Sequence, residues 1–129
     1  MNQINGTNPL ARYTIVSGGT VRVGDLVVSG ETAGQVIAAS TGATTPVIGV
    51  AGRVLDGEVE VFVGIVALAG STAGAITRAD RGKPAYIEDA RTVTISGGTA
   101  GVPAGIVVDV YDGEVYVDVT PAAVAAANA

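Results

Sequence analysis

The chain has 129 residues, which is enough for one compact domain or for two small lobes that share a core. Its 7 Lys and Arg against 12 Asp and Glu give a net charge of −5, which argues against electrostatic binding to nucleic acid. The absence of His and Cys excludes disulfides, thiolate chemistry, Ser-His-Asp and Cys-His catalytic arrangements, and the usual transition-metal ligands.

Composition also favours an all-β fold. Hydrophobic residues make up 48% of the chain, yet there is no Trp and only one Phe, so the core must consist of Val, Ile, Leu and Ala. The 19 glycines and 5 prolines indicate many turns and little helix. The longest apolar stretch, residues 61–69, is about half of a membrane span.

Residues 1–12 predict a flexible N-terminal arm, because they are polar, contain Pro9 and show no periodicity. They lack the apolar run of a signal peptide, so we expect the protein to be made in the cytoplasm. Strands are then predicted at residues 13–16, at 26–28 after a turn at Gly24-Asp25, and at 35–39.

A repeat dominates the rest of the chain. Residues 40–63 recur as residues 96–119, and both copies contain Asp-Gly-Glu-Val followed by alternating valines. Asp56-Gly57 and Asp112-Gly113 predict tight hairpin turns, because Gly supplies the positive φ that such turns need. Gly49 and Gly105 lie at the same place in two apolar runs, where a glycine marks a bulge or a close approach of another backbone. We therefore expect two β-rich halves of one design within a single domain, residues 13–120.

Between and after the repeats the pattern is less specific. Residues 71–75 fit either a short helix or a turn, while residues 83–89 and 93–95 predict strands. The Ala-rich C-terminal tail, residues 121–129, has helical propensity but is short for an isolated helix, so it is either frayed or docked on a neighbour.

Two groups of charged residues are candidate sites. Asp56, Glu58 and Glu60 suggest a calcium site, but they lack the spacing of a calcium loop, and we interpret them as a solvated strand face. The mixed charges at residues 78–83 fit either a partner-binding patch or an ordinary loop surface, and the loop surface is favoured. We predict no catalytic residue, cofactor or metal.

The order of these features resembles the small phage head decoration proteins, also called capsid cement proteins. Residues 21–28 (VRVGDLVV) are similar to the family's xGDxV opening, and residues 48–52 (IGVAG) to the strand that follows its variable loop. Residues 59–63 (VEVFV), 82–87 (GKPAYI) and 104–119 (AGIVVDVYDGEVYVDV) continue the pattern. The resemblance covers about residues 14–120.

The resemblance implies a small β-barrel or β-tulip protomer that forms a homotrimer. Such trimers bind the major capsid protein on the outside of the phage head at three-fold positions, and the family has no catalytic residues. For this chain we expect a structural protein of the virion, with an arm that grips the capsid through Asn2, Gln3, Ile4, Asn5, Thr7, Asn8 and Leu10. Two alternatives stay open: the arm is an unstructured leader with no role, or the Ala-rich tail grips the capsid instead.

Two other functions were weighed. A carbohydrate-binding or adhesive β-module of a phage tail or surface structure is the alternative, although sugar sites favour exposed aromatic platforms and this chain has few aromatic residues. A carboxylate-based enzyme, such as a glycosidase, is disfavoured by the short chain and the unclustered acids.

Overall fold

The computed structural model describes residues 9–16, 19–30, 34–40, 46–72, 74–95 and 102–128. In these residues the chain forms ten strands, one 3₁₀ turn at Arg78–Asp80 and one α-helix, which confirms the all-β prediction. The strands are β1 (Pro9–Ile15), β2 (Leu26–Ser29), β3 (Gln35–Ala38), β4 (Val47–Leu55), β5 (Glu58–Phe62), β6 (Ile65–Gly70), β7 (Pro84–Ile87), β8 (Thr92–Thr94), β9 (Pro103–Tyr111) and β10 (Glu114–Asp118), and the helix is α1 (Pro121–Ala127).

The strands close into two five-stranded barrels with the same connectivity. Barrel one has the order β1-β3-β2-β4-β5, and barrel two has the order β10-β6-β8-β7-β9. Each barrel has one parallel pair, β1 with β3 and β6 with β8, while its other pairs are antiparallel. A closed barrel leaves no unpaired sheet edge, so neither half presents a strand for uncontrolled pairing.

The structural repeat is wider than the two sequence segments that reveal it. In barrel one, Gly24 N–H donates to the carbonyl of Ala51, and Ala51 N–H donates to the carbonyl of Asp25. In barrel two, Gly82 N–H donates to Val107, and Val107 N–H donates to Lys83. The turn before β2 therefore has an equivalent before β7, although the sequences Gly-Asp-Leu and Gly-Lys-Pro share only the glycine.

The two predicted hairpin turns are confirmed. Asp56-Gly57 joins β4 to β5 and Asp112-Gly113 joins β9 to β10. Gly57 has a φ of +73° and Gly113 a φ of +81°, and Asp112 is also left-handed at +52°. The two successive positive φ angles of Asp112-Gly113 are the signature of a type I′ turn, whose twist matches that of the flanking strands, whereas in the first hairpin only Gly57 has a positive φ.

The strand glycines Gly49 and Gly105 allow a close approach of another backbone, as predicted. A Cβ on Gly49 would collide with the carbonyl of Phe62, and a Cβ on Gly105 would collide with that of Asp118. The two contacts are equivalent, because Phe62 ends β5 and Asp118 ends β10.

Alternation of side chains builds two cores. Barrel one encloses six buried residues: Val21, Val27, Val36, Ala51, Val59 and Val61. The larger core fills barrel two with residues that include Val93, Val107, Val115 and Val117. It also receives Leu26 and Val28 from β2, which is therefore buried on both faces and joins the barrels.

One sequence expectation changes, and two open alternatives are resolved. The arm is shorter than predicted, because β1 begins at Pro9 and pairs with β5, so residues 9–12 belong to barrel one. The described residues among 71–75 form no helix. The tail forms α1, whose Val124 and Ala127 are buried against the rest of the chain, so it is docked rather than frayed. Among the described residues, no helix has the length and apolarity required to cross a membrane.

Candidate functional site

The junction between the barrels contains a buried carboxylate. Asp25, in the turn before β2, is only 5% exposed. Its Oδ1 accepts a hydrogen bond of 2.7 Å from Nε of Arg91, which precedes β8 in the other barrel. Its Oδ2 accepts a bond of 2.9 Å from the backbone N–H of Arg22. Asp25 therefore stabilises its own turn and links barrel one to barrel two.

Arg91 completes this inter-barrel clasp, which we define as Asp25 and Arg91. Its Nη2 donates to the carbonyl of Val23 at 2.7 Å. Its guanidinium lies over Gly24, where an added Cβ would be 3.8 Å from Cζ. Beside the clasp, Leu26 N–H donates to the carbonyl of Ala90, which links the backbones directly. The Gly-Asp pair quoted from the sequence thus has a structural role, and the sequence analysis did not identify its partner Arg91.

A small open cavity of about 260 Å³ adjoins the clasp. Its lining consists of Thr20, Arg22, Asp25, Asp89, Ala90 and Arg91. The two arginines face two carboxylates, so the lining has no excess charge that would favour an ionic ligand. The charges instead hold the junction, because a buried carboxylate needs hydrogen-bonded partners.

The acids Glu58 and Glu60 lie on the outside of barrel one, as a solvated face requires. Arg12 on β1 bridges them, with Nη2 3.1 Å from Oε2 of Glu60 and Nη1 3.8 Å from Oε1 of Glu58. Asp56 lies in the exposed hairpin turn. In the described part of the chain, no three His, Cys, Asp or Glu residues are grouped to hold a metal ion.

The mixed charges at residues 78–83 are paired within the patch and with β9. Arg78 Nε donates to the carbonyl of Val110 at 3.0 Å and lies 3.5 Å from Asp109. Asp80 accepts from the backbone N–H of Thr77 at 2.8 Å and from Lys83 Nζ at 3.4 Å. The Thr77 N–H is the main reason that the pKa of Asp80 is lowered, with Lys83 adding to it and burial opposing it. These contacts favour the loop-surface interpretation.

An apolar groove of about 330 Å³ separates α1 from the start of β4. Its lining consists of Pro46, Val47, Ile48, Pro121, Val124, Ala125 and Asn128. The hydroxyl of Thr120 caps the helix by accepting from Ala123 N–H at 3.3 Å, and proline occupies the first turn.

The predicted capsid-gripping residues are not brought together by any described contact. Asn2, Gln3, Ile4, Asn5, Thr7 and Asn8 lie outside the described residues. Leu10 lies within β1, where the backbone belongs to barrel one.

No protein-family model matches the chain, and no curated protein matches its sequence. The resemblance to capsid decoration proteins therefore depends on the quoted motifs. Gly24-Asp25 forms the turn before β2, and Gly49 lies in β4 where β5 crosses closely. The motif at residues 82–87 includes the equivalent turn before β7, and the motif at residues 104–119 forms the hairpin of β9 and β10.

Proposed function

We propose that this protein is a structural capsid decoration protein, which binds the outer surface of a phage head at three-fold positions as a homotrimer and stabilises the shell. One observation carries the proposal: the motifs that resemble the decoration family fall at turns and close crossings that close a barrel. Gly24 and Gly82 form equivalent turns with φ of +95° and +86°. Gly49 and Gly105 form equivalent backbone crossings. The motif order is thus also the order of geometric constraints in the fold.

The physical properties of the molecule suit this role. A protein that clamps a shell must keep its shape under load. Both barrels are closed, β2 contributes side chains to the cores of both, and the clasp joins them. Such a protein binds its neighbours through side chains that are exposed in the single chain. Large apolar side chains are exposed at several places: Val23, Ile37, Ile65, Val108 and Tyr111. Each of these side chains would add apolar contact area where another protein covers it.

The test uses particles of the phage or prophage whose genome carries this gene. We expect particles from a strain without the gene to lack one density at each three-fold position, seen by cryo-electron microscopy, and to burst at lower temperature. Added purified protein should restore both the density and the thermal resistance. Particles that never contain the protein, and that fail to bind it at micromolar concentration, would contradict the proposal.

A further inference from the structure

The duplicated fold supplies an internal comparison between two equivalent surfaces. We define face one as the outward side of β1, β5 and β4, and face two as the outward side of β6, β10 and β9. The register aligns Ala67 with Tyr116 in barrel two as it aligns Arg12 with Glu60 in barrel one. Likewise Ala69 and Glu114 correspond to Thr14 and Glu58. Since the backbones are equivalent, differences between the faces do not arise from the requirements of the barrel.

Face one carries an internally paired charge cluster, whereas the β6 side of face two consists of small apolar residues. The β10 and β9 side of face two carries Glu114, Tyr116, Asp118 and Asp109. Arg12 bridges both glutamates of face one, but its counterpart in barrel two is an exposed alanine, Ala67. The next outward residue, Ala69, is also exposed. Ile65 at one end of the same strand is 53% exposed, and Tyr111 at the edge of the face is 62% exposed.

Among the described residues, each face also has a charged residue without an ion-pair partner, and the two charges have opposite signs. Glu114 on face two has no cation within 4 Å among the residues that the structure describes. Arg53 on face one lies opposite Glu60 in the ladder, yet Glu60 bonds Arg12, and Arg53 has no carboxylate within 4 Å in the same part of the chain. The described part of one chain therefore carries an unpaired anion, Glu114, on face two and an unpaired cation, Arg53, on face one of its other barrel.

We infer that face two is a contact surface for a second copy of this chain, which places face one and its Arg53 against Glu114. This inference rests on the homotrimer of the proposed function and locates its interface. A contact between two different faces is heterologous, and three such contacts close a ring when each rotates the next copy by one third of a turn. Face two supplies the apolar area, and the pair of Arg53 with Glu114 sets the orientation.

The first test places a charge in the middle of face two. Ala67→Arg puts an arginine where barrel one already has Arg12, so the fold accommodates it, and its far-UV circular dichroism spectrum should match that of the wild type. The matched control is Ala126→Arg, the same substitution at an exposed alanine of α1. By analytical ultracentrifugation at about 10 μM, we expect the wild type and Ala126→Arg at three times the chain mass and Ala67→Arg at the monomer mass, an affinity loss of at least about 100-fold.

The second test exchanges the two charges. Glu114→Arg and Arg53→Glu should each weaken the trimer at least about tenfold through like-charge repulsion, and the double variant should restore it. Retention of the trimer mass by Ala67→Arg, failure of the double variant to recover, or a monomeric wild type would overturn the inference.

Decoration of capsids separates this inference from the proposed function. If Ala67→Arg remains a trimer but no longer binds capsids, face two contacts the shell instead, which overturns the inference and leaves the proposed function standing. If the exchange experiment succeeds while no particle binds the protein, the face is confirmed and the capsid role is contradicted.

Discussion

Two glycines close equivalent hairpins, and each has a backbone conformation that residues with a Cβ rarely adopt. Gly57 and Gly113 have φ of +73° and +81°, and a Cβ at either position would meet no atom within 4 Å. The penalty of a side chain there is thus backbone strain alone. We expect Gly57→Val and Gly113→Val each to lower the free energy of unfolding by about 1–3 kcal/mol in urea denaturation.

The residue before each glycine provides the control. Asp112 is left-handed at +52°, whereas Asp56 does not have a positive φ. Asp112→Val should therefore be destabilising, and Asp56→Val, the same substitution in the other hairpin, should change stability by less than about 0.5 kcal/mol. Equal effects of all four substitutions would show that strain is not the cause.

Asp80 gives a prediction about pH. Its pKa is lowered mainly because the backbone N–H of Thr77 donates to the carboxylate. A group whose folded pKa is below its unfolded pKa stabilises the protein above the unfolded pKa, and this contribution disappears as pH falls through the folded pKa. We expect the Asp80 carboxyl resonance to titrate below pH 3.8, its ordinary pKa. Stability of Asp80→Asn should fall less steeply between about pH 5 and pH 2 than that of the wild type. An Asp80 midpoint at or above 3.8 would contradict the assignment.

At the scale of elements, the clasp joins two turns that belong to different barrels. Asp25 is buried, but the side chain of Arg91 is 52% exposed, so solvent reduces the strength of the pair. If either Asp25 or Arg91 is replaced, polar atoms of the remaining residue lose their hydrogen bonds. We expect Asp25→Ala and Arg91→Ala each to destabilise by about 1–3 kcal/mol. A double-mutant cycle should give a coupling energy of about 1 kcal/mol or more.

The pair of Arg12 and Glu60 is the matched control for that cycle. It is also a pair of opposite charges, at 3.1 Å, but it joins two neighbouring strands on the outside of one barrel. Its coupling energy should be below about 1 kcal/mol and should shrink further in high salt. If both cycles give the same small coupling, the clasp does not hold the barrels together.

The elements that were predictable from the sequence are those with a local signal. The Asp-Gly turns and the alternating valines of β5 and β10 are such signals, and the structure confirms them. The predicted start of β1 was wrong because the residues around Pro9 show no periodicity. In the fold, pairing with β5 extends the strand back to Pro9. The clasp was missed because Asp25 and Arg91 are 66 residues apart, and no local pattern connects them.

At the scale of the whole molecule, the sequence shows the duplication only in residues 40–63 and 96–119, which contain the β4–β5 and β9–β10 hairpins. The barrels share their connectivity and their turn hydrogen bonds even where Gly-Asp-Leu corresponds to Gly-Lys-Pro. Backbone geometry is therefore retained while the outward side chains differ. This division of roles explains why the candidate contact face appears only when equivalent positions are compared in three dimensions.

The boundary between the N-terminal segment and barrel one lies at Pro9, where β1 begins. Residues 2–8 contain all the candidate capsid-gripping side chains except Leu10, whereas Pro9 and Ala11 pair with Phe62 and Val61 of β5. Deletion of residues 2–8 should leave the melting temperature within about 2 °C of the wild type, because it removes no described strand pairing. Under the proposed function, it should weaken binding to undecorated capsids at least about tenfold, since three arms act together on one trimer.

Deletion of residues 2–11 is the comparison that separates the arm from the barrel. It also removes the first three residues of β1, so its melting temperature should fall by several degrees through lost pairing with β5. For both deletions, binding is measured on the same purified capsids, and the melting temperature is measured by differential scanning calorimetry. If deletion of residues 2–8 lowers the melting temperature as much as the longer deletion, the segment belongs to the barrel. If the variant that lacks residues 2–8 binds capsids with wild-type affinity, the arm has no part in binding. The groove beside α1 is then the next surface to mutate.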